Sequence, residues 1–380
     1  MNTLRVISAD SHMTEPPDLW TTRLDRRFQD RAPQVVHKPD KPGHFFTAPG
    51  ITPFPVAGGF STGRSGEALK EHLKRGYEAA RPSGWDPVER LKDQDLDGVA
   101  AEVIYTTLGL ALFQLTDVAL QQACFGVYND WVAEFRSHSP KRLHPVAMIS
   151  LEDIPAAVAE LQRAARLGLK GGMIWGAPPA DRPYHSPLYD PFWAAAQDLQ
   201  LPISLHVVTS RDANDRVVMN AGSSGPVNHT ALRFVHLFNE VQKSLSAFIL
   251  GGVLERFPGL RIVSAESDVG WFAHYLHRLD HAQEKFGAMV EQPLPLKPSE
   301  YARRQIWATF QDDPVGPNTY RFFGADNFMW ASDFPHTDTT WPNSRHVIAR
   351  DFAGVPEHIT RKMVSENAAR LYRIELDGAV

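Results

Sequence analysis

Two short stretches near opposite ends of the chain carry the residue types of a metal site. The apolar run 4–9 ends on Asp10-Ser11-His12, and the run 328–332 ends on Asp333. Carboxylates and imidazoles are common ligands of zinc, manganese and iron. Each run is typical of a buried strand that delivers its polar residues beyond its last apolar position. If the first and last strands are neighbours, as closure of a parallel barrel requires, the two motifs share one mouth.

Strand-like runs recur along the chain, with helical patterns between most of them. Segments 154–167 and 187–199 show the period of about 3.6 residues that is typical of amphipathic helices. Alternating strands and helices predict parallel βαβ units, and eight strands predict an α/β fold of the (β/α)8 TIM-barrel type rather than an open sheet. The predicted strands are 4–9, 100–106, 144–149, 170–175, 202–206, 260–265, 305–310 and 328–333.

The whole chain, residues 1–380, is interpreted as a single barrel domain. A long insertion after the first strand, about residues 17–90, contains proline, glycine and charged residues with little strand signal, and the stretch 209–232 is also too long for an ordinary turn. Excursions at strand ends lie over the barrel mouth, so we expect both segments to enclose a substrate. A helix at about 356–372 follows the barrel.

The other predicted strand ends add three metal-capable side chains, Glu102, His206 and Glu266. In a parallel barrel the C-terminal strand ends face the loops that form the active site, so these residues should converge with Asp10, His12 and Asp333. Each also has a simpler interpretation. A buried histidine is often a satisfied core residue, and Glu102 lies early in its run, where it could form an ion pair.

A second metal ion is an open alternative. Glu102 and Glu266, together with His229 or His236 on the long segment after the fifth strand, could hold such an ion beside the first. His229 and His236 could equally be a loop residue and a helix residue.

Three further residues are candidates for contacts around the site. His336 could donate to substrate or to a ligand carboxylate, or it could order its own loop. Glu15 could act in the same way beneath the first motif, and Trp271 could line an apolar substrate pocket.

Composition narrows the partners and the compartment. A formal charge of −5 without a basic run argues against nucleic acid or an anionic membrane, so we expect a small-molecule substrate. The single cysteine, Cys124, excludes an intrachain disulfide. No signal-peptide pattern and no apolar run of roughly 18 residues is present, which favours a cytoplasmic protein. A homodimer or higher homo-oligomer is the default expectation.

Several motifs together resemble the amidohydrolase superfamily. They are the segment 7–16 with its Asp-x-His, Leu205-His206, the segment 255–260 (Glu-Arg-Phe-Pro-Gly-Leu), and Ser332-Asp333-Phe334-Pro335-His336. The pattern is similar to the amidohydrolase-2 branch, which includes aminocarboxymuconate-semialdehyde decarboxylase and related aromatic acid decarboxylases. The resemblance implies a TIM barrel with a catalytic divalent metal held by Asp10, His12, His206 and Asp333.

Two departures from that branch bear on the reaction. The decarboxylases typically carry a proton-transferring histidine where this chain has Glu266, and their first motif is usually His-x-His or Glu-x-His rather than Asp-x-His. The leading hypothesis is therefore a metal-dependent hydrolase, in which a metal-activated water attacks an amide, a lactone or an activated carbon–carbon bond. Its candidate catalytic residues are Asp333, Glu266 and His336.

Three alternatives to the hydrolase stay open. They are a non-oxidative decarboxylase of an aromatic or muconate-like acid, a binuclear iron or manganese monooxygenase, and a non-catalytic partner subunit. Zinc is the expected cofactor, with manganese or iron as alternatives and either one or two ions.

Overall fold

The predicted α/β barrel is present in the computed structural model, which describes residues 4–212, 229–291 and 293–375. Parallel strands run in the order β1-β5-β6 and β7-β8-β9-β10-β11-β12. Only Val146 separates β6 from β7, so these two short strands together occupy one strand position of the barrel. The barrel strands are β1 (Val6–His12), β5 (Val99–Tyr105), β6 (Leu143–Pro145), β7 (Ala147–Met148), β8 (Gly172–Trp175), β9 (Ile203–His206), β10 (Ile262–Ala265), β11 (Ile306–Phe310) and β12 (Phe328–Trp330), and β2 to β4 belong to the insertion described below.

The barrel closes where the first and last strands meet. The backbone N–H of Asp333 donates to the carbonyl of Asp10 at 3.0 Å, and that of His12 donates to the carbonyl of Phe334 at 2.6 Å. Residues more than three hundred positions apart in sequence are therefore hydrogen-bonded neighbours. This closure places the two sequence motifs side by side, as the sequence predicts.

Helices cover the outside of the barrel, and local sequence explains where several of them begin. Asp86, Asp117 and Asp153 each accept hydrogen bonds from backbone N–H groups in the first turn of the helix that follows. The longer helices are Gly66–Leu73, Pro87–Asp97, Val118–Ser137, Ile154–Arg166, Asp190–Leu199, His229–His236, Phe238–Leu250, Phe272–Phe286, Pro298–Gln305 and Ser344–Asp351, and the C-terminal helical stretch runs through Glu357–Arg361, Lys362–Glu366 and Asn367–Tyr372.

The insertion after β1 contains more regular structure than its sequence indicates. Strands β2 (Gln34–Lys38), β3 (Lys41–Ala48) and β4 (Ile51–Pro55) form an antiparallel sheet. Pro42 lies near the start of β3, whereas Pro53 and Pro55 lie in β4, which is an edge strand of this sheet, so the missing N–H groups do not prevent pairing. Phe46 packs against Trp20 in the core, and Nε1 of Trp20 donates to the carbonyl of Cys124 on helix Val118–Ser137 at 3.1 Å, which anchors this sheet to the barrel's helical layer.

The insertion also contacts the loop that follows β12. The N–H groups of Thr62 and Gly63 donate to the carbonyls of Pro335 and His336 at 2.8 and 3.0 Å. The insertion therefore packs at the C-terminal end of the barrel, on the side where the metal-capable residues lie. Most of the segment 209–232, the second expected mouth element, lies outside the described residues.

Candidate metal centre

Five of the predicted site residues meet at the C-terminal end of the barrel. Asp10 and His12 lie at the end of β1, His206 is the last residue of β9, Glu266 directly follows β10, and Asp333 follows β12. Their donor atoms fall into two groups that share His12, and within each group the atoms lie within 4.8 Å of one another. The strand ends therefore supply one cluster rather than scattered polar residues.

The two imidazoles are held so that one nitrogen of each faces the cluster. Nδ1 of His12 lies 2.7 Å from the carbonyl of Thr106, and Nδ1 of His206 lies 3.0 Å from the carbonyl of Val207. Because a carbonyl only accepts, each Nδ1 carries the proton and each Nε2 presents a lone pair. Both Nε2 atoms are buried without a hydrogen-bond partner.

The carboxylates of the cluster also present buried oxygens that have no hydrogen-bond partner. Oδ2 of Asp10 accepts a hydrogen bond from Oγ1 of Thr309 at 3.0 Å, whereas its Oδ1 is buried without a partner. Oε2 of Glu266 and Oδ2 of Asp333 are also buried without hydrogen bonds. Buried oxygens of this kind are costly to leave unpaired, so their convergence indicates a cation-binding site.

The distances between the donors fit one ion better than direct hydrogen bonds. Nε2 of His12 lies 3.4 Å from Oδ1 of Asp10 and 3.5 Å from Oδ1 of Asp333. Ligands about 2.1 Å from one ion are separated by about 3.0 Å at right angles and about 3.4 Å at the tetrahedral angle. An N–H···O hydrogen bond is shorter, at about 2.7–3.2 Å. Nε2 of His206 lies 3.9 Å from Oδ1 of Asp10, so one ion could still contact both atoms.

The electrostatics of the cluster lead to the same conclusion. Burial raises the pKa of Asp333 well above its usual range, and the nearby charge of Glu266 raises it further. Burial opposes protonation of His12, but the carboxylates of Asp10, Glu266 and Asp333 raise its pKa well above the ordinary value. Clustered carboxylates that attract protons so strongly will also attract a divalent cation, which would replace those protons.

His336 lies at the edge of the cluster. Its Nδ1 is 2.9 Å from Oδ1 of Asp333, its Nε2 is 3.1 Å from Oγ1 of Thr107, and its ring centroid is 3.9 Å from that of His12. Burial lowers the pKa of His336 well below its ordinary value, and the charge of His12 lowers it further. A neutral imidazole beside Asp333 is suited to exchange a proton with that carboxyl group.

The structure corrects the assignment of Glu102 as a metal ligand. Its Oε2 accepts hydrogen bonds from Nε of Arg90 at 2.6 Å and from Nε2 of Gln94 at 2.7 Å, and Oγ of Ser11 donates to its Oε1 at 3.2 Å. Both oxygens are therefore engaged beneath the cluster, in a buried ion pair. Glu102 sits three residues before the end of β5, too far down the strand to reach the mouth.

His236 is not brought to the cluster either. It is exposed at the end of its helix, and its Nδ1 lies 3.1 Å from Nδ2 of Asn239. The backbone of His229 begins the same helix, but its side chain lies outside the described residues. The second metal ion that the sequence leaves open thus loses Glu102 and His236 as ligands.

Glu15 and Trp271 have structural contacts that the sequence does not reveal. The buried carboxylate of Glu15 accepts hydrogen bonds from the N–H groups of Thr107 and Leu108 at 3.1 and 2.9 Å, so it organises the loop after β5. Trp271 stacks on Phe238 with ring centroids 5.8 Å apart and donates from Nε1 to the carbonyl of Ser267. Neither side chain is part of the donor cluster.

Sequence reasoning missed Thr309 and Arg90. Thr309 lies near the end of β11 and joins the cluster through its hydroxyl group, a position at which a polar residue near a strand end could have been noticed. Arg90 lies on a helix of ordinary amphipathic sequence, where nothing marks it as a residue that contacts the site.

A barrel whose strand ends gather imidazoles and carboxylates defines the class of metal-dependent TIM-barrel proteins. The family model described as amidohydrolase matches residues 10–374. The chain belongs to this family, and the resemblance seen in its motifs is confirmed.

Known proteins of the same family include decarboxylases. A gamma-resorcylate decarboxylase from Rhodococcus jostii (strain RHA1) is 26% identical over 273 residues, covering 65% of this chain and 75% of the relative. A crystal structure of an amidohydrolase from Mycobacterium avium subsp. paratuberculosis K-10 matches 99% of both chains with a TM-score of 0.79 and 22% identity. A 5-carboxyvanillate decarboxylase from Novosphingobium aromaticivorans DSM 12444, crystallised with manganese and 4-hydroxy-3-methoxy-5-nitrobenzoic acid, covers 98% of this chain and 97% of its own, with a TM-score of 0.71 and 18% identity.

No helix among the described residues has the length and apolar character that crossing a membrane requires.

Proposed function

We propose that this protein is a divalent-metal-dependent decarboxylase that releases carbon dioxide from a hydroxylated aromatic acid without an oxidant. The observation that carries the proposal is the convergence of buried, unpartnered donors from Asp10, His12, His206 and Asp333 at the barrel mouth. The gamma-resorcylate decarboxylase relative supports the substrate class. This choice replaces the hydrolase as the leading hypothesis.

The residues present fit a divalent ion, which Asp10, His12, His206 and Asp333 would hold. When bound, such an ion neutralises charge on the oxygens of a substrate and so helps to fix its position. The manganese in the carboxyvanillate decarboxylase structure makes manganese a reasonable first choice. Zinc stays a prediction that elemental analysis can test.

The chemistry that the protein must supply is one proton. Loss of carbon dioxide from an aromatic carboxylate leaves an electron pair on the ring carbon, and one proton at that carbon completes the reaction. Asp333 is the proposed donor, because its Oδ2 is buried at the cluster without any hydrogen bond. His336, with Nδ1 at 2.9 Å from Oδ1 of Asp333, is placed to relay a proton from solvent to that carboxyl group afterwards.

The test uses protein loaded with manganese and supplied with 2,6-dihydroxybenzoate or 5-carboxyvanillate under nitrogen. We expect one carbon dioxide per substrate consumed, at the same rate under air, and one deuteron at the vacated ring carbon in D2O. An Asp333→Asn variant should lose at least about a hundredfold in turnover, which is the lower range for a positioned acid or base. Oxygen-dependent turnover, or full activity of Asp333→Asn, would contradict the proposal.

A metal-dependent hydrolase is the second candidate, and the position of Glu266 favours it. Oε2 of Glu266 lies at the cluster, where a carboxylate could take a proton from an attacking water. A protein that releases no carbon dioxide from aromatic acids but opens lactones or cleaves amides would establish this alternative.

The assembly state and compartment remain predictions of the sequence. A homodimer or higher homo-oligomer would be detected by light scattering during size-exclusion chromatography, and cytoplasmic location by fractionation of the source cells.

A further inference from the structure

The carboxylate of Glu266 lies close to both imidazoles of the cluster. Its Oε2 lies 3.3 Å from Nε2 of His206 and 3.4 Å from Nε2 of His12. These two separations are nearly equal, and both fall between about 3.0 and 3.6 Å, the spacing of neighbouring ligands about 2.1 Å from one five-coordinate ion. They are longer than the usual hydrogen-bond distance, so the carboxylate serves neither imidazole as a close hydrogen-bond partner.

The backbone at Glu266 is built to hold the side chain there. Its φ angle is 52°, in the left-handed region that side chains other than glycine and asparagine rarely adopt. Its N–H group donates to Oγ1 of Thr309 at 2.9 Å, and the same hydroxyl group donates to Oδ2 of Asp10 at 3.0 Å. One threonine therefore fixes the backbone of Glu266 and the carboxylate of Asp10 relative to each other.

The side chain is also charged and mostly withdrawn from solvent. Only 17% of it is exposed, and Oε2 is among the buried atoms without a hydrogen-bond partner. An oxygen that is negatively charged, desolvated and unpaired needs a cation beside it. The two histidine Nε2 atoms next to it are unpaired as well, which is the arrangement expected when a single ion lies between all three.

We propose that Glu266 is a direct ligand of the metal ion, in addition to Asp10, His12, His206 and Asp333. This inference rests on the metal centre proposed above and adds a fifth donor from β10 to it. The ligand set then contains three carboxylates and two imidazoles. Oxygen donors suit manganese more than zinc, so Glu266 should shift the preference of the site toward manganese.

As a metal ligand, Glu266 would have a different role from the catalytic one predicted from the sequence. The Oε2 oxygen of Glu266 would then coordinate the ion and would no longer be free to act as a general base. Proton transfer is then left to His336 and to the oxygen of Asp333 that does not coordinate the ion. The decarboxylases typically carry a proton-transferring histidine where this chain has Glu266 after β10. With Glu266 as a ligand, this difference changes the metal site.

The test measures metal affinity without substrate, so it does not depend on the reaction. Protein stripped of metal is titrated with manganese and with zinc against a chromogenic chelator, for the wild type, Glu266→Gln and Glu266→Asn. Asparagine tolerates the left-handed backbone, so the second variant keeps the fold if glutamine disturbs it. Asp268→Asn is the matched control, since Asp268 lies on the same loop, has a φ of 53°, and is outside the donor cluster.

We expect both Glu266 variants to bind manganese at least about a hundredfold more weakly, because loss of partners that merely orient ligands already costs about 10–100-fold. Zinc affinity should fall by less, and Asp268→Asn should stay within about fivefold of the wild type because Asp268 contributes no donor atom to the cluster. Equal losses in the Glu266 variants and Asp268→Asn would show that only charge matters and would overturn the inference. Unchanged binding in the Glu266 variants would also overturn it. Failure of the wild type itself to bind either metal would overturn the whole centre.

Discussion

The buried ion pair between Arg90 and Glu102 links the two strand ends that carry the metal-site residues. Arg90 is fully buried, its Nε lies 2.6 Å from Oε2 of Glu102, and its Nη1 donates to the carbonyl of His12 at 2.8 Å. Its guanidinium also lies over the ring of Phe334, with 4.8 Å to the ring centroid. One side chain thus contacts the residue ending β1 and the residue after Asp333.

Replacing Arg90 with methionine leaves the carboxylate of Glu102 buried without its cation. Breaking a buried pair in this way costs about 3–5 kcal/mol. The entropy of unfolding is about 2.1 cal/mol/K per residue, or about 0.8 kcal/mol/K for 380 residues. The melting temperature should therefore fall by about 4–6 °C.

The assay is thermal unfolding followed by circular dichroism on metal-free protein, so that loss of metal does not contribute. Lys70→Met is the control, because Lys70 pairs with Glu67 on the surface and both side chains are mostly exposed. That variant should melt within about 1 °C of the wild type, as exposed pairs contribute about 0–1 kcal/mol.

A double variant, Arg90→Met with Glu102→Met, removes both charges and should recover part of the loss, since well-packed apolar replacements of a buried pair are often neutral. A melting temperature of Arg90→Met equal to that of the wild type would refute the reasoning. A double variant that is less stable than the sum of its single variants would refute it as well.

Three further predictions concern other parts of the molecule. Glu15→Ala should lower the free energy of unfolding by about 1–3 kcal/mol, because the N–H groups of Thr107 and Leu108 lose their buried acceptor; urea unfolding would show this, and an unchanged midpoint would contradict it. His144 is buried, and burial lowers its pKa from 6.5 to about 4. The unfolded chain then binds a proton that the folded chain does not, so the free energy of unfolding should fall as the pH drops from 6.5 to about 4. His144→Gln should show a weaker fall than the wild type in urea unfolding at pH 4.5 and 7, and an identical pH dependence would refute the assignment. Removal of metal with a chelator should lower the melting temperature, and added manganese should restore it, because a ligand that binds only the folded state stabilises it; a melting temperature indifferent to both treatments would argue against a bound ion.

The barrel could be predicted from the sequence because its strands are apolar runs separated by segments with helical periodicity. The predicted run 202–206 and the observed strand Ile203–His206 both end at His206. The antiparallel sheet in the insertion could not be predicted, because Val35, Phe45 and Phe46 lie among prolines and charged residues that mask a strand pattern. Its pairing depends on contacts between strands, which single-sequence patterns do not record.

Part of the candidate site could also be predicted from the pattern of apolar runs. Asp10, His12, His206, Glu266 and Asp333 are polar residues at the ends of apolar runs, a position that is visible in the sequence. The partner of Glu102 was not visible, because Arg90 lies twelve residues earlier on a helix. Whether a buried carboxylate binds a metal or a guanidinium depends on what packs against it, and sequence position alone does not determine that.

Anomalous diffraction would show most directly whether the strand ends form one metal centre. Crystals grown with manganese and measured on both sides of its absorption edge would place the ion without reference to activity. We expect a peak about 2.0–2.3 Å from Nε2 of His12, Nε2 of His206 and Oε2 of Glu266, with Asp10 and Asp333 completing the ligand set. A peak elsewhere on the barrel, or none at this mouth in saturating manganese, would contradict it.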